Sequence, residues 1–269
     1  MGERIRFPRL QPCQAVSNAA RKSSVVEWEK PGPRARLRLF CFPYAGGGAA
    51  VFRGWGAVAP PEIHVVPVHL PGRGNRFTEP ALTRSEALVE QLAEELSPYM
   101  DVPFALFGHS MGAMLAFELT RHLRALGKQL PEHLLVSGRR APQRASDKRK
   151  LHGLPEDEFR VELRNLNGTP DEILEHPELM ELFAPILRAD FELCETYALR
   201  EGEPLDVPIS AFGGLEDPDV SRDDLMAWKE HTRGFFKLRM FPGGHFFLNG
   251  ARQQLVHAVS EDLLRLALR

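Results

Sequence analysis

The chain has 269 residues, 43% of them hydrophobic, and a formal net charge of -2. That length and apolar content suit one large α/β domain with a sizeable core, and the near-neutral balance excludes a general nucleic-acid binder. The charge is uneven: residues 1–38 hold nine Lys or Arg against three Asp or Glu, which leaves about -8 on the remainder.

The amino-terminal stretch contains no apolar segment of signal-peptide length, and no run approaches the ~20 apolar residues of a membrane span. The expectation is a cytoplasmic protein with no membrane partner. Residues 1–34 loosely share the Arg and Ser content of a transit peptide, but a disordered extension is the favoured reading, with the folded domain at 35–269. Cys13, Cys41 and Cys194 are odd in number and widely spaced, which argues against a disulfide framework and a zinc site; no metal or cofactor is expected.

In chain order, strands are predicted at Leu37–Phe42, Ile63–Val68, Phe104–Phe107, Leu134–Ser137, Val207–Phe212 and Phe236–Phe241. Helices are predicted at Arg84–Tyr99, Met111–Leu126, Arg222–Thr232 and Gln253–Leu268. This alternation implies an α/β fold with a mostly parallel central sheet covered by helices. Residues 145–204 interrupt it. They read as two or three helices broken at Pro155, Gly168-Thr169-Pro170 and Pro177, an insertion placed like a lid over the carboxyl ends of the strands. Its last part repeats Leu179, Leu182, Phe183, Ile186, Leu187, Phe191 and Tyr197 at helical spacing, a stripe that serves core packing and an acyl cavity equally well.

The chemistry centres on Gly108-His109-Ser110-Met111-Gly112, a G-x-S-x-G sequence between a strand and a helix. That context is the nucleophile elbow, in which glycines permit a tight turn around a strained serine. A serine hydroxyl needs a base within reach and an acid that orients the base. Asp217 follows the fifth predicted strand and is favoured over its neighbours Glu216 and Asp219. His245 follows the last strand through Pro242-Gly243-Gly244, before apolar Phe246 and Phe247. His109 is expected to point away from Ser110, and His231 to be solvent-exposed. Backbone N–H groups of Met111 and of Ala45, in Phe42-Pro43-Tyr44-Ala45-Gly46-Gly47-Gly48, are the candidate oxyanion donors. No Gly-Lys-Ser/Thr follows that glycine run, so a phosphate loop is a weak rival.

Taken together, these motifs resemble one family, the stand-alone type II thioesterases of polyketide, nonribosomal-peptide and fatty-acid synthesis. The match is carried by Cys41-Phe42-Pro43-Tyr44-Ala45-Gly46-Gly47, Leu70-Pro71-Gly72-Arg73, Phe107–Gly112, Leu187-Arg188-Ala189-Asp190, Glu216-Asp217 and Pro242-Gly243-Gly244-His245-Phe246. The resemblance implies an α/β-hydrolase fold with a helical lid. It also implies hydrolysis of acyl thioesters from the phosphopantetheine arm of acyl or peptidyl carrier proteins, clearing aberrant or stalled acyl groups from a synthase. Ser110, Asp217 and His245 fall on its nucleophile, acid and base, and Ala45 and Met111 on its oxyanion donors. Tyr44, Phe183, Leu187, Phe191 and Phe246 are the candidate substrate-contacting residues. Tyr44 stands where histidine is common, and residues 1–34 have no counterpart.

Arg139, Arg140, Arg144, Lys148, Arg149 and Lys150 follow the fourth predicted strand. This cluster either steers an acidic carrier, holds the phosphate of its arm, or is an ordinary solvated loop. The alternatives for the whole chain are a carboxylesterase or lipase using the same residues on oxygen esters, and a non-catalytic binding protein on the same fold.

Overall fold

The computed structural model describes residues 25–26, 29–144 and 149–267. Most of the predicted amino-terminal extension, with Cys13, lies outside the described residues, as does Lys148. The described part of that extension includes packed residues. Val25 and Val26 are buried, and Val26 forms an antiparallel bridge with Val68, so the packed body begins ahead of residue 35.

Six strands form one sheet: β1 (Leu37–Phe42), β2 (Ile63–Pro67), β3 (Phe104–His109), β4 (His133–Ser137), β5 (Ile209–Gly214) and β6 (Phe236–Phe241). Their order is β2-β1-β3-β4-β5-β6, and every neighbouring pair is parallel. The strands are apolar on both faces because helices cover both. Phe40, Phe42, Phe104 and Leu106 face one layer; Leu39, Cys41, Ala105 and Phe107 face the other, as the two-residue strand period requires.

The helices are α1 (Trp55–Val58), α2 (Ser85–Leu96), α3 (Met111–Ala125), α4 (Glu156–Leu166), α5 (Asp171–Glu175), α6 (Pro177–Thr196), α7 (Arg222–Met226), α8 (Phe247–Gly250) and α9 (Arg252–Ala267). Leu88 and Leu92 of α2 and Met114 and Phe117 of α3 bury against the first face. Trp55 of α1 and Leu255 and Val259 of α9 bury against the second.

Some element bounds move for local reasons. Strand β5 starts two residues later than predicted. Pro208 has no N–H to donate, and the ladder to β6 opens with Ile209 N–H donating to Phe235 O. Helix α2 gives way at Ser97-Pro98-Tyr99 to a 3-10 turn, and the helix predicted over Arg222–Thr232 divides into α7 and a 3-10 turn at Ala227–His231.

Among the described residues, the interval between β4 and β5 holds three helices, α4 to α6, with their own small core of Phe159, Leu163, Leu174, Met180, Ala184 and Leu187. Helix α6 turns Met180, Ala184 and Leu187, spaced about one turn apart, into this small core, and also buries Ile186, Ala189, Asp190 and Leu193. Leu179 and Leu182, placed in the apolar stripe from sequence, are exposed.

The strand order also determines where a site forms. The chain leaves β1 toward β2 on one side and returns to β3 on the other, so the loops after β1 and β3 diverge at the carboxyl edge and leave a crevice between them. The loop after β1 is Pro43–Gly48, and the residue after β3 is Ser110.

Candidate active site

Ser110 has φ 53° and ψ -111°, a backbone conformation that costs on the order of 1–3 kcal/mol for a residue with a side chain. The turn is held by Ser110 N–H donating to Ser137 O at the end of β4 (2.7 Å) and by Ala113 N–H donating to Ser110 O (3.1 Å). The flanking glycines are steric necessities. A Cβ on Gly108 would lie 2.0 Å from Gly112 O, and one on Gly112 would lie 2.1 Å from Phe42 O. Strand β3 and helix α3 therefore approach each other, and β1, too closely for any side chain at either position. The serine is left half-buried at the head of α3.

Two loops deliver the acid and the base together. Leu215 N–H donates to Phe241 O (2.8 Å) and Glu216 N–H to Gly243 O (3.0 Å), which ties the end of β5 to the turn after β6. Gly214 allows the approach, since a Cβ there would sit 2.3 Å from Gly244 O. Asp217 and His245 then meet, with His245 Nδ1 2.8 Å from Asp217 Oδ2. The other carboxylate oxygen accepts from Asp219 N–H (2.8 Å) and Val220 N–H (3.2 Å). The Asp217 side chain is fully buried. Burial pushes its carboxyl pKa up, but the hydrogen bond and charge of His245 and the two backbone donors outweigh it and hold the pKa below the usual value. Glu216 is exposed, and Asp219 contributes its backbone N–H to Asp217.

Ser110 and His245 open onto one cavity of about 420 Å³. Among the described residues no hydrogen bond joins them, which is common before substrate draws such groups together. The cavity is lined by Tyr44 and Ala45 on the loop after β1, by Leu163, Leu187 and Phe191 of the helical insertion, and by Phe246. The Tyr44 and Phe246 rings meet edge to face, 5.0 Å between centroids. Phe183 does not line the cavity: it packs against the insertion's own core, on the side of α6 shared with Met180 and Ala184. Met111 is the first residue of α3, where an N–H has no intrahelical acceptor. Arg139, Arg140, Arg144, Arg149 and Lys150 also line the cavity, so the basic segment sits at the site and is not a remote surface loop.

Comparison with known proteins identifies the family. Residues 37–263 match the family described as Thioesterase domain. The chain belongs to the thioesterase family. It is 47% identical over 229 residues to the gramicidin S biosynthesis protein GrsT of Aneurinibacillus migulanus, covering 85% of this chain and 90% of that protein. Among solved structures, it resembles RedJ, the thioesterase of the prodiginine pathway in Streptomyces coelicolor. The TM-score is 0.80 at 42% identity, with 85% of this chain and 91% of RedJ covered. It also resembles BorB, a type II thioesterase from the borrelidin biosynthetic cluster, with a TM-score of 0.81 at 39% identity over 91% of this chain and all of BorB. The α/β-hydrolase fold of these thioesterases is the fold of this chain.

Three features of this thioesterase-family site escape a reading of motifs. His109 is wholly buried. Its Nδ1 lies 2.9 Å from Ser137 Oγ and its ring centre 5.3 Å from that of His245. Burial, and then the nearby His245, drive its pKa well below the usual histidine value, so it stays neutral. His231 is half-buried, not exposed, with its Nε2 2.6 Å from Gln143 Oε1 and its ring edge-on to Phe117. Arg73 and Asp190 form a buried ion pair beside the glycine loop. The signal for that pair was a lone carboxylate on the buried face of α6, among Ile186, Leu187 and Leu193, where a charge requires a partner.

Proposed function

We propose that this protein is a serine thioesterase that hydrolyses acyl thioesters from the phosphopantetheine arm of acyl or peptidyl carrier proteins, clearing stalled or aberrant acyl groups from a synthase in the cytoplasm. Residues 35–269, with Val25 and Val26 packed onto them, serve as its catalytic domain, and 145–204 as the lid. The observation that carries the reading is the strained Ser110 sharing one cavity with His245, whose Nδ1 is held by the buried Asp217.

In this scheme the Asp217 contact keeps the His245 proton on Nδ1 and leaves Nε2 to accept the Ser110 hydroxyl proton. Ser110 Oγ bonds to the thioester carbonyl carbon, and the carbonyl oxygen becomes an oxyanion received by the Ala45 and Met111 N–H groups. The C–S bond then breaks, the thiolate of the arm takes the proton from His245, and an acyl-serine remains. Water gives a proton to Nε2 and attacks the acyl carbon. Oγ leaves as the hydroxyl, recovering that proton, and the free acid departs. Asp217 stays ionised throughout and stabilises the imidazolium. Tyr44, Leu187, Phe191 and Phe246 are the acyl-contacting residues.

The carrier docks at the basic rim formed by Arg139, Arg140, Arg144, Arg149 and Lys150, whose charges suit an acidic carrier and the phosphodiester of its arm. Turnover of acyl-carrier thioesters against matched oxygen esters tests the substrate assignment. Preference for the thioester supports it, and preference for the oxygen ester makes the protein a carboxylesterase.

A further inference from the structure

We propose that Arg73 and Asp190 are positioning residues that hold the glycine loop so that the Ala45 N–H meets the oxyanion as it develops. The proposal rests on the reading of Ser110 as nucleophile and Ala45 as oxyanion donor.

The pair is bidentate: Arg73 Nη1 donates to Asp190 Oδ2 (2.5 Å) and Nη2 to Oδ1 (2.7 Å), with both side chains buried. Each partner also grips the loop. Asp190 Oδ2 accepts from Gly46 N–H (2.7 Å), and Arg73 Nη1 donates to Gly47 O (3.2 Å). A third bond, Gly47 N–H to Tyr44 O (2.9 Å), closes the turn that carries Ala45 and Gly46 at its centre. The amides of Gly46 and Gly47 are thus both committed. Among the described residues the Ala45 N–H has no acceptor, and Ala45 lines the cavity that holds Ser110.

Helix α6 fixes the turn from above. Gly46 has φ +76°, and a Cβ there would sit 2.4 Å from Leu187 Cδ2, the residue one helical turn before Asp190. One turn of α6 therefore supplies both the anion that orients the loop and the side chain that covers it. A buried ion pair gives little net stability, since desolvation offsets much of its attraction. What its planar, two-point geometry does give is direction, and the group it directs is the turn bearing the free amide. The catalytic loop and the helical insertion are consequently one mechanical unit.

The test is steady-state hydrolysis of an acyl-carrier thioester and of a small acyl thioester by wild type, Asp190→Asn, Arg73→Lys and Asp262→Asn. Asp262 serves as the matched control: it is a buried carboxylate bidentate to Arg239 and lies outside the cavity lining. Both loop variants are expected to lose on the order of 10²-fold in kcat, as when one oxyanion donor is removed, with KM within about threefold on both substrates. Their labelling by a fluorophosphonate should slow in parallel, while Asp262→Asn keeps its kcat. Arg73→Lys retains the charge and carries the test if Asp190→Asn fails to fold. Wild-type kcat in the folded loop variants, or an equal loss in Asp262→Asn, overturns the proposal. A wild type inactive on thioesters would instead overturn the functional reading on which it rests.

Discussion

Asp217 and His245 lie on different loops, 28 residues apart, yet meet at 2.8 Å because the ends of β5 and β6 are stitched by two backbone hydrogen bonds. The second oxygen of Asp217 is occupied by the amides of Asp219 and Val220, so the carboxylate cannot turn away from the imidazole. An ionised, immobile acid is the part that orients a base.

Asp217→Asn should preserve this packing but remove the charge that favours the imidazolium. The expected outcome is a kcat lower by on the order of 10³–10⁴-fold, with a thermal midpoint close to wild type. Steady-state kinetics with an acyl-carrier thioester and a melting curve check both halves.

The elbow glycines admit no substitution. Gly112→Ala would drive a methyl group to 2.1 Å from Phe42 O, against backbone at the end of β1. A loss of 3 kcal/mol or more, at or beyond the top of the usual ~1–3 kcal/mol overpacking range, is expected in denaturant titration, with activity lost as well.

Acid should weaken the fold before it titrates the carboxylates. Burial lowers the pKa of His64 and His133 from 6.5 to about 4. The unfolded chain therefore binds more protons than the folded one between those values, and stability falls as pH drops from 6.5 towards 4. Asp217 and Asp262 have lowered pKa values and add their own loss only below that window. His133 Nε2 lies 2.9 Å from Ser210 Oγ, and His133→Gln should flatten the slope of thermal midpoint against pH without removing it, because His64 and the buried His109 remain.

Acyl preference should respond to the cavity wall. Phe191 lines the cavity and rests edge-on against Phe159 at 6.0 Å. Phe191→Trp is expected to lower kcat/KM for long acyl chains on the carrier roughly tenfold or more while leaving acetyl or propionyl turnover near wild type, the effect of filling a pocket by a few methylene equivalents. A chain-length series with each variant measures it.

Charge at the rim should matter for the carrier alone. Arg144→Glu with Lys150→Glu is expected to raise KM for acyl-carrier substrates about tenfold at low salt, with the difference shrinking as ionic strength rises and KM for a small thioester unchanged. Arg140 is left alone, since it donates to Asp219 O and so supports the loop of Asp217.

Sequence periodicity made the sheet legible because its strands are short, apolar and separated by glycine and proline; β1 and β6 match their predicted bounds at both ends. Chain order and turn residues were enough to bring forward Ser110, Asp217 and His245. What stayed hidden depends on contacts between distant segments. A helical stripe does not say which of its apolar residues face the cavity: Phe183, Leu187 and Phe191 all pack in the insertion's own core, but Leu187 and Phe191 also line the cavity and Phe183 does not. The elbow motif directs His109 away from Ser110, but its contacts with Ser137 and the His245 ring emerge only once β4 and the last loop are packed. Arg73 and Asp190, 117 residues apart, could be matched to motifs but not to each other.

The central claim is that Ser110 carries the acyl group between carrier and water. Rapid-quench mass spectrometry after mixing the protein with acyl-loaded carrier tests this most directly, by following the peptide that contains Ser110 and the mass of the carrier. The account predicts a transient acyl mass on Ser110 in wild type as the carrier returns to its free-thiol mass, and neither event with Ser110→Ala. Release of the acyl group from the carrier by Ser110→Ala at the wild-type rate would contradict it.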